Sequence, residues 1–272
     1  MIEIQPSQPI SATVAIPSSK SYTNRALLIA ALTDGECRVE NPLFSDDTHF
    51  MSAALIRFGI PVKREDGKAF VVSGTGGKIT APEEEIFIGN AGTTMRFLTT
   101  FSALAHGVTR LNGDKRMQER PISDLLDCLS QMQVDAQSVR GNQCPPLIIH
   151  GGHVPGGEVR LAGDKSSQYL TSILLSAPYF ANDTTVHIQG DLTSKTYADI
   201  TLDIMRAFGV RVDNENYQRF KVSSGQHYRA GTYRVEGDWS SASYFLAAAA
   251  VTGGEITLTG MNPDSVQGDA QF

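Results

Sequence analysis

Apolar and polar positions along the chain follow two patterns, one typical of helices and one typical of strands. Long apolar runs, such as residues 26–32, directly follow clusters of small hydroxyl side chains, which is the pattern expected where a buried helix begins. Shorter runs, such as residues 37–40 and 184–189, have the composition of strands. The chain is therefore predicted to alternate helices and strands from beginning to end.

The helix starts recur at a fixed period. Four equivalent starts, at Ser19, Gly92, Ser166 and Ser240, are almost evenly spaced, with a period of about 74 residues. A second set of helix starts, at Asp46, Arg120 and Ser194, repeats with the same interval. Two independent markers with one period indicate a duplicated unit. Each unit holds two helices followed by strand-like residues, which predicts an α/β (α+β) fold built from repeated βαβαββ units.

Local signals set the expected boundaries of these elements. Gly35 is expected to end the first helix, and Pro121 is expected in the first turn of the helix that follows it. Residues 86–89 and 210–213 are predicted to be strands.

Two glycine-containing stretches are predicted to be turns. Asp66-Gly67 separates strand-like residues 62–65 and 69–73, which is a hairpin signal. Residues 74–78 superficially suggest a phosphate-binding loop but lack its first glycine and the hydroxyl residue after the lysine.

Composition and charge exclude several classes of protein. The chain has 272 residues, of which 41% are hydrophobic and 19% charged, and is long enough to bury a large core. Its 23 basic and 29 acidic residues give a net charge of -6, which argues against a general nucleic-acid surface or an anionic membrane as partner. No signal peptide and no membrane-spanning run are found, so a cytoplasmic location is predicted.

Cysteine and histidine patterns predict neither disulfides nor a metal. Cys37, Cys128 and Cys144 are odd in number and lack a CxxC spacing, which favours reduced thiols. His150 and His153 form the closest histidine pair, but they lie in a glycine-rich loop and not on one helical face.

Cations cluster at the predicted helix starts, namely Lys20, Arg25, Arg96, Arg120 and Lys195. A helix start offers unpaired backbone N–H groups and the positive end of the helix dipole, so an anion binds there readily. The pattern therefore predicts a phosphate or carboxylate site. No nucleophile motif and no paired carboxylates accompany it, so the general acid or base is not expected within this sequence.

Several long motifs resemble those of the 5-enolpyruvylshikimate-3-phosphate (EPSP) synthase family. The resemblance covers essentially the whole chain, and its clearest motifs are Ser18-Ser19-Lys20-Ser21-Tyr22-Thr23-Asn24-Arg25, Gly89-Asn90-Ala91-Gly92-Thr93-Thr94-Met95-Arg96, Arg116-Met117-Gln118-Glu119-Arg120-Pro121, Ser194-Lys195-Thr196-Tyr197 and Glu236-Gly237-Asp238-Trp239-Ser240-Ser241. The resemblance implies transfer of the enolpyruvyl group of phosphoenolpyruvate to the 5-hydroxyl of shikimate 3-phosphate, without a cofactor, in aromatic amino acid biosynthesis.

The resemblance also implies a two-domain fold in which one domain is complete and the other truncated. Residues 20–235 are expected to form the complete three-repeat domain, and residues 1–19 and 236–272 to be part of the second domain. One further period from Ser194 reaches Gly268, so the sequence is expected to be the N-terminal portion of such a synthase, with weak substrate binding and little turnover.

Specific residues acquire roles from the resemblance. Residues expected to hold shikimate 3-phosphate are Lys20, Ser21, Arg25, Ser166, Ser167, Gln168, Ser194 and Tyr197. Residues expected to hold phosphoenolpyruvate are Lys20, Gly92, Arg120 and Gln168. Lys20 and Arg120 are also expected to stabilise charge during the reaction. The full-length protein is expected to be a monomer. The resemblance implies a glyphosate target, but it does not imply sensitivity of this chain, because Phe97 lies one turn behind the pocket at Gly92.

The chain departs from the common family pattern at three positions. Phe97 and Thr196 stand where proline is common, and Trp239 replaces a small residue. Two other functions stay open at this point: a transferase acting on UDP-N-acetylglucosamine, which shares the repeat, and a substrate-binding half without activity of its own.

Overall fold

A computed structural model of the protein describes residues 8–65 and 67–271. Within these ranges the helices, α1 to α7 in chain order, span Lys20–Leu32, Asp46–Arg57, Gly92–Leu104, Ser123–Gln131, Ser167–Ser176, Lys195–Ala207 and Trp239–Thr252. The strands, β1 to β14, span Ser11–Ala15, Asp34–Glu40, Val62–Glu65, Ala69–Thr75, Ile86–Phe87, Gly107–Asn112, Asp135–Ser138, Leu147–Gly151, Gly157–Ala162, Thr184–Gln189, Asp213–Glu215, Arg219–Val222, Thr232–Arg234 and Glu255–Thr259.

Three four-stranded sheets share one topology. Their strand orders are β13-β2-β4-β3, β5-β6-β8-β7 and β9-β10-β12-β11. In each sheet the first two strands are parallel and the other neighbouring pairs are antiparallel. A helix joins the parallel strands in the second and third sheets, as parallel pairing requires. The predicted βαβαββ repeat is confirmed.

The first strand of the first unit is supplied by a distant part of the chain. β13 pairs with β2 in parallel, with Thr232 opposite Arg38. In the same way β1 pairs in parallel with β14, which follows α7. The two connecting segments meet at a bridge between Ser18 and Gly237. The pairing of β13 with β2 was not predicted, because nothing local in residues 232–234 identifies their partner.

Three helices form the centre of the molecule. α1, α3 and α5 contact one another and are buried on nearly all sides, as their long apolar runs predict. Residues in corresponding turns of these helices meet: Arg25 of α1 bonds to Thr171 of α5, and Arg96 of α3 bonds to Gln168 of α5. The three helices therefore lie side by side with their N-terminal turns at the same end.

Several predicted boundaries were wrong. α1 ends at Leu32, because strand β2 begins at once and already includes Gly35. Pro121 lies outside α4, which starts at Ser123 after Ile122. Of residues 210–213, only Asp213 belongs to a strand.

Two further predictions, of a strand and of a hairpin, are confirmed in part. The strand predicted at 86–89 is confined to Ile86–Phe87. β3 and β4 pair antiparallel as the hairpin prediction requires, although Asp66 of its turn lies outside the described residues.

The three cysteines, Cys37, Cys128 and Cys144, are buried free thiols. Burial raises the pKa of Cys128 to about 12, so this thiol is not a nucleophile at neutral pH. Across residues 8–65 and 67–271, no group of three His, Cys, Asp or Glu side chains is placed to hold a metal ion. None of the helices described is long and apolar enough to cross a membrane.

Buried tyrosines make the stability of this fold sensitive to alkali. Burial raises the pKa of Tyr179 to about 12 and also raises the pKa values of Tyr22, Tyr228 and Tyr233. Above about pH 10 the unfolded chain ionises these phenols while the folded chain keeps their protons, so stability falls as pH rises. Each such group contributes about 1.4 kcal/mol per pH unit. Arg25 has the opposite effect, because burial lowers its pKa to about 10. Above this pH the folded chain loses the Arg25 proton while the unfolded chain keeps it, which offsets the contribution of one tyrosine.

We therefore expect the free energy of unfolding to fall steeply between about pH 10 and pH 11, because the four tyrosines and Cys128, which keep their protons in the folded chain, outnumber Arg25. Urea unfolding across this range measures it. The Tyr228→Phe variant lacks one of the four phenols, so its free energy of unfolding should fall less steeply with pH, by the contribution of one group. The variant also loses the hydrogen bond from the Tyr228 hydroxyl to Leu175 O (2.9 Å). A parent protein with a flat profile would contradict the expectation.

Candidate anion-binding site

The first central helix opens on a cation. Lys20 is the first residue of α1 and follows Ser19, whose backbone is extended. Its Nζ lies 3.8 Å from Oδ1 of Asp47, in the first turn of α2. The lysine side chain is 47% exposed and the pair is long, so the ammonium group remains available to a ligand.

A second cation lies beside the start of α3. Arg120 follows a 3₁₀ turn, Met117–Glu119, and its Nη1 lies 3.5 Å from both the backbone and the side-chain oxygen of Asn90. A Cβ atom on Gly92 would lie only 2.6 Å from that nitrogen. Glycine at position 92 therefore gives the guanidinium group its place against the helix start.

The charge around Arg120 is unbalanced. Partial burial lowers the pKa of Arg120, and the neighbouring charges of Arg96 and Arg116 lower it further. Asp47 acts in the opposite direction. Two cations against one carboxylate leave an excess of positive charge, which a bound anion would neutralise.

The starts of α3 and α5 are tied together through Gln168. Nη1 of Arg96 donates a hydrogen bond to Oε1 of Gln168 at 2.6 Å, and the guanidinium carbon lies 5.5 Å from the ring centroid of Tyr169. Because arginine only donates, this bond assigns the oxygen of Gln168 and leaves its amide hydrogens free for an acceptor. Ser166 caps α5 by accepting a bond from the backbone N–H of Gln168.

A third cation is held in the interior. Arg25 is 1% exposed, and Nη1 donates to the backbone oxygen of Ser21 at 3.0 Å. Nη2 donates to the backbone oxygen of Tyr197, in the first turn of α6, at 3.2 Å. Ser194 precedes that helix with a left-handed backbone, φ 56°. Arg25 thus links the start of α1 to the start of α6.

The structure brings the predicted residues into two connected groups. One group contains Gly92 and Arg120, with Lys20 linked to it through Asp47, and the other contains Ser21, Arg25 and Tyr197. Helix α1 connects the two groups, because Lys20 and Ser21 are adjacent in it. Gln168 of α5 accepts the hydrogen bond from Arg96 of α3.

Three predicted serines have few side-chain hydrogen bonds to the other predicted residues. Within the described ranges the side chains of Ser167 and Ser194 make no hydrogen bond to another predicted residue, and Ser166 bonds only to the backbone of Gln168. Lys195, one of the cations at a helix start, lies 5.4 Å from the ring centroid of Tyr217, so it faces a neighbouring aromatic ring.

The geometry adds residues that the sequence did not indicate. Asp47 and Asn90 contact the cations, but their positions at helix starts were already explained by capping. Thr171 and Thr201 contact Arg25 from within ordinary helical runs, and no sequence signal distinguishes them.

Solved structures with a similar fold identify the class of protein. Two structures of EPSP synthase from Acinetobacter baumannii match with a TM-score of 0.84 and 25% sequence identity, covering 95% of this chain and 58% of each of theirs. The chain therefore has the fold of this class of synthase. The family model for EPSP synthase (3-phosphoshikimate 1-carboxyvinyltransferase) matches residues 4–272, and the chain belongs to this family.

Curated relatives agree with this assignment. 3-Phosphoshikimate 1-carboxyvinyltransferases from Pectobacterium carotovorum and Yersinia pestis are 48% and 47% identical over 274 residues, and one from Marinomonas is 46% identical over 273 residues. Each alignment covers 100% of this chain, which spans 64% of the length of the relative. The family predicted from the motifs is confirmed, and the UDP-N-acetylglucosamine alternative is not favoured.

Proposed function

We propose that this chain binds shikimate 3-phosphate and phosphoenolpyruvate and serves the transfer of the enolpyruvyl group to the 5-hydroxyl of shikimate 3-phosphate. The products are 5-enolpyruvylshikimate 3-phosphate and phosphate. The observation that supports this most directly is the position of Arg120 beside Gly92, in a field of excess positive charge. The family membership supplies the identity of the anions.

Phosphoenolpyruvate is assigned to the group around Arg120. A guanidinium group offers a planar pair of donors to a carboxylate or phosphate, and Lys20 adds a mobile point charge. Gln168 adds amide hydrogens, because its oxygen is already used by Arg96. Lys20 and Arg120 would stabilise the charge that develops as phosphate leaves.

Shikimate 3-phosphate is assigned to the residues around the starts of α1, α5 and α6. Hydroxyl groups and backbone N–H groups at helix starts suit phosphate oxygens, and the half-exposed Tyr197 ring can cover the substrate ring. The residues in this role are Lys20, Ser21, Arg25, Ser166, Ser167, Gln168, Ser194 and Tyr197.

The domain boundaries belong to the same proposal. Residues 20–235 would form one substrate-binding domain, and residues 1–19 and 236–272 would belong to a second. The support is that the two connecting segments run side by side, with Ser19 N donating to Glu236 O and Asp238 N donating to Pro17 O, both at 2.9 Å. A cytosolic location and a monomeric full-length protein complete the proposal, on the sequence evidence alone.

Calorimetric titration tests the proposed function. Shikimate 3-phosphate should bind to the chain alone, and phosphoenolpyruvate should bind more tightly once shikimate 3-phosphate is present. Release of phosphate from the two substrates then separates an active chain from one that only binds. Absence of shikimate 3-phosphate binding at millimolar concentration would contradict the proposal.

A further inference from the structure

The buried Arg25 uses four of the five N–H donors of an arginine within the protein. The acceptors are Thr201 Oγ1 for Nε at 2.9 Å, Ser21 O for Nη1 at 3.0 Å, and Thr171 Oγ1 and Tyr197 O for Nη2 at 3.2 Å each. Among residues 8–65 and 67–271 the remaining hydrogen, on Nη1, has no acceptor, so it is left for a ligand.

The two threonine hydroxyls can only act as acceptors toward this guanidinium group. Thr201 Oγ1 donates its single hydrogen to Tyr197 O at 2.8 Å. The hydrogen in the 2.8 Å contact between the two hydroxyls must therefore come from Thr171. Both oxygens then present lone pairs to Arg25, at Nε and at Nη2.

This arrangement matters because the two hydroxyl groups are fully buried, while the bond from Arg25 Nη1 to Ser21 O is only partly buried. Thr171 and Thr201 are 0% exposed, and the guanidinium carbon of Arg25 lies 5.3 Å from the ring centroid of Phe97. A buried cation depends on protein acceptors to hold one orientation. Each acceptor that is lost leaves a donor unpaired and lets the guanidinium group rotate.

We propose that Thr171 and Thr201 are positioning residues, which fix Arg25 so that its remaining Nη1 hydrogen binds one anionic oxygen of shikimate 3-phosphate. This inference rests on the proposed function and deepens it. Arg25 then contributes its charge and a single directed hydrogen bond, and the orientation of that bond is set by two hydroxyls that do not touch the ligand.

Thr201→Val tests the proposal, since valine keeps the shape of threonine and removes the acceptor. We expect shikimate 3-phosphate to bind about tenfold more weakly by calorimetry, because a hydrogen bond to a charged group is lost. Thr201→Ser should bind within about twofold of the parent, since the hydroxyl is restored.

Thr99→Val is the matched control. Thr99 is also 0% exposed and also bonds to the carbonyl four residues earlier, Met95 O, at 2.8 Å, but it does not contact Arg25. Equal binding by Thr201→Val and Thr99→Val would overturn the proposal. If Thr201→Val does not fold, Thr171→Val carries the test, with a loss of about threefold expected from the single contact to Nη2.

A second measurement does not depend on the ligand. The Nε–H group of Arg25 should give a slowly exchanging ¹⁵N–¹H signal in the parent and in Thr201→Ser, and fast exchange in Thr201→Val. One outcome is that the parent fails to bind shikimate 3-phosphate while the Nε–H signals show the expected exchange rates. That result would contradict the proposed function and support the positioning of Arg25 by Thr201. Unchanged exchange in Thr201→Val would overturn the positioning itself.

Discussion

Arg120→Ala is expected to weaken the binding of phosphoenolpyruvate, in the presence of shikimate 3-phosphate, by about 100-fold. The guanidinium group lies beside Gly92 and Asn90, where it is partly buried and surrounded by like charge. A charge in such a place binds an anion strongly, and its removal leaves no equivalent donor. Binding of shikimate 3-phosphate alone should change by less than about threefold, because that ligand is assigned to other residues.

Arg116→Ala is the matched control for this prediction. Arg116 lies in the same loop and carries the same charge, but its side chain is exposed, so its field is screened by salt. A loss of less than about threefold is expected. Similar losses for Arg116→Ala and Arg120→Ala would show that general charge, and not a directed contact, attracts the anion.

Gly92→Ala examines the same contact without removing a charge. The added Cβ would lie 2.6 Å from Nη1 of Arg120, so the guanidinium group has to move away from the start of α3. Because the obstructed atom is the end of a flexible side chain, stability should change little while phosphoenolpyruvate binding falls. Titration by NMR, which also follows the amide of residue 92, measures the affinity, and urea unfolding measures the stability. Unchanged affinity would show that the ligand does not use this position of Arg120.

The second large effect concerns stability. Gly151→Ala should destabilise the protein by about 3 kcal/mol, because its Cβ would lie 2.3 Å from Ser102 O and 2.4 Å from Ala105 O. These are backbone atoms at the end of α3, which cannot turn aside as a side chain can. Gly74 has the equivalent place in the first unit, 2.3 Å from Thr33 O at the end of α1.

Urea unfolding of Gly74→Ala, Gly151→Ala and the double variant measures this effect. Because the two glycines lie in different sheets and meet different helices, their losses should add. Ser73→Ala, in the same strand as Gly74, is the control and should lie within about 0.5 kcal/mol of the parent. A loss of less than about 1 kcal/mol for Gly151→Ala would mean that the sheet moves away from the helix end at little cost.

The repeated fold could be predicted because each unit shows the same signals locally. Hydroxyl residues before an apolar run specify a buried helix start, and the constant period of these starts then orders the units. Strand ends were predicted less well where side chains decide them. Residues 210–212 have strand composition, but the backbone N–H of Arg211 bonds to the side chain of Gln226 and not to a neighbouring strand.

The candidate site was predictable only as far as charge and capping reveal it. Lys20 is conspicuous because it lies among capping serines, and Arg120 because it lies in a strongly cationic loop. Asp47 was hidden by its suitability as a first-turn residue, and Thr201 by its place in an amphipathic helix. Contacts between residues far apart in sequence, such as Arg25 with Thr201, depend on how the units pack, which local pattern does not encode.

The pairing of β13 with β2 has a consequence for synthesis on the ribosome. β2 leaves the ribosome early, but the strand that covers its edge is translated roughly 10 to 40 s later at ordinary elongation rates. During that interval the nascent chain carries a bare strand edge, which is a template for pairing with other chains. We therefore expect a chaperone that binds nascent chains to raise the yield of this protein. The benefit should be larger than the stability of the finished fold alone would predict.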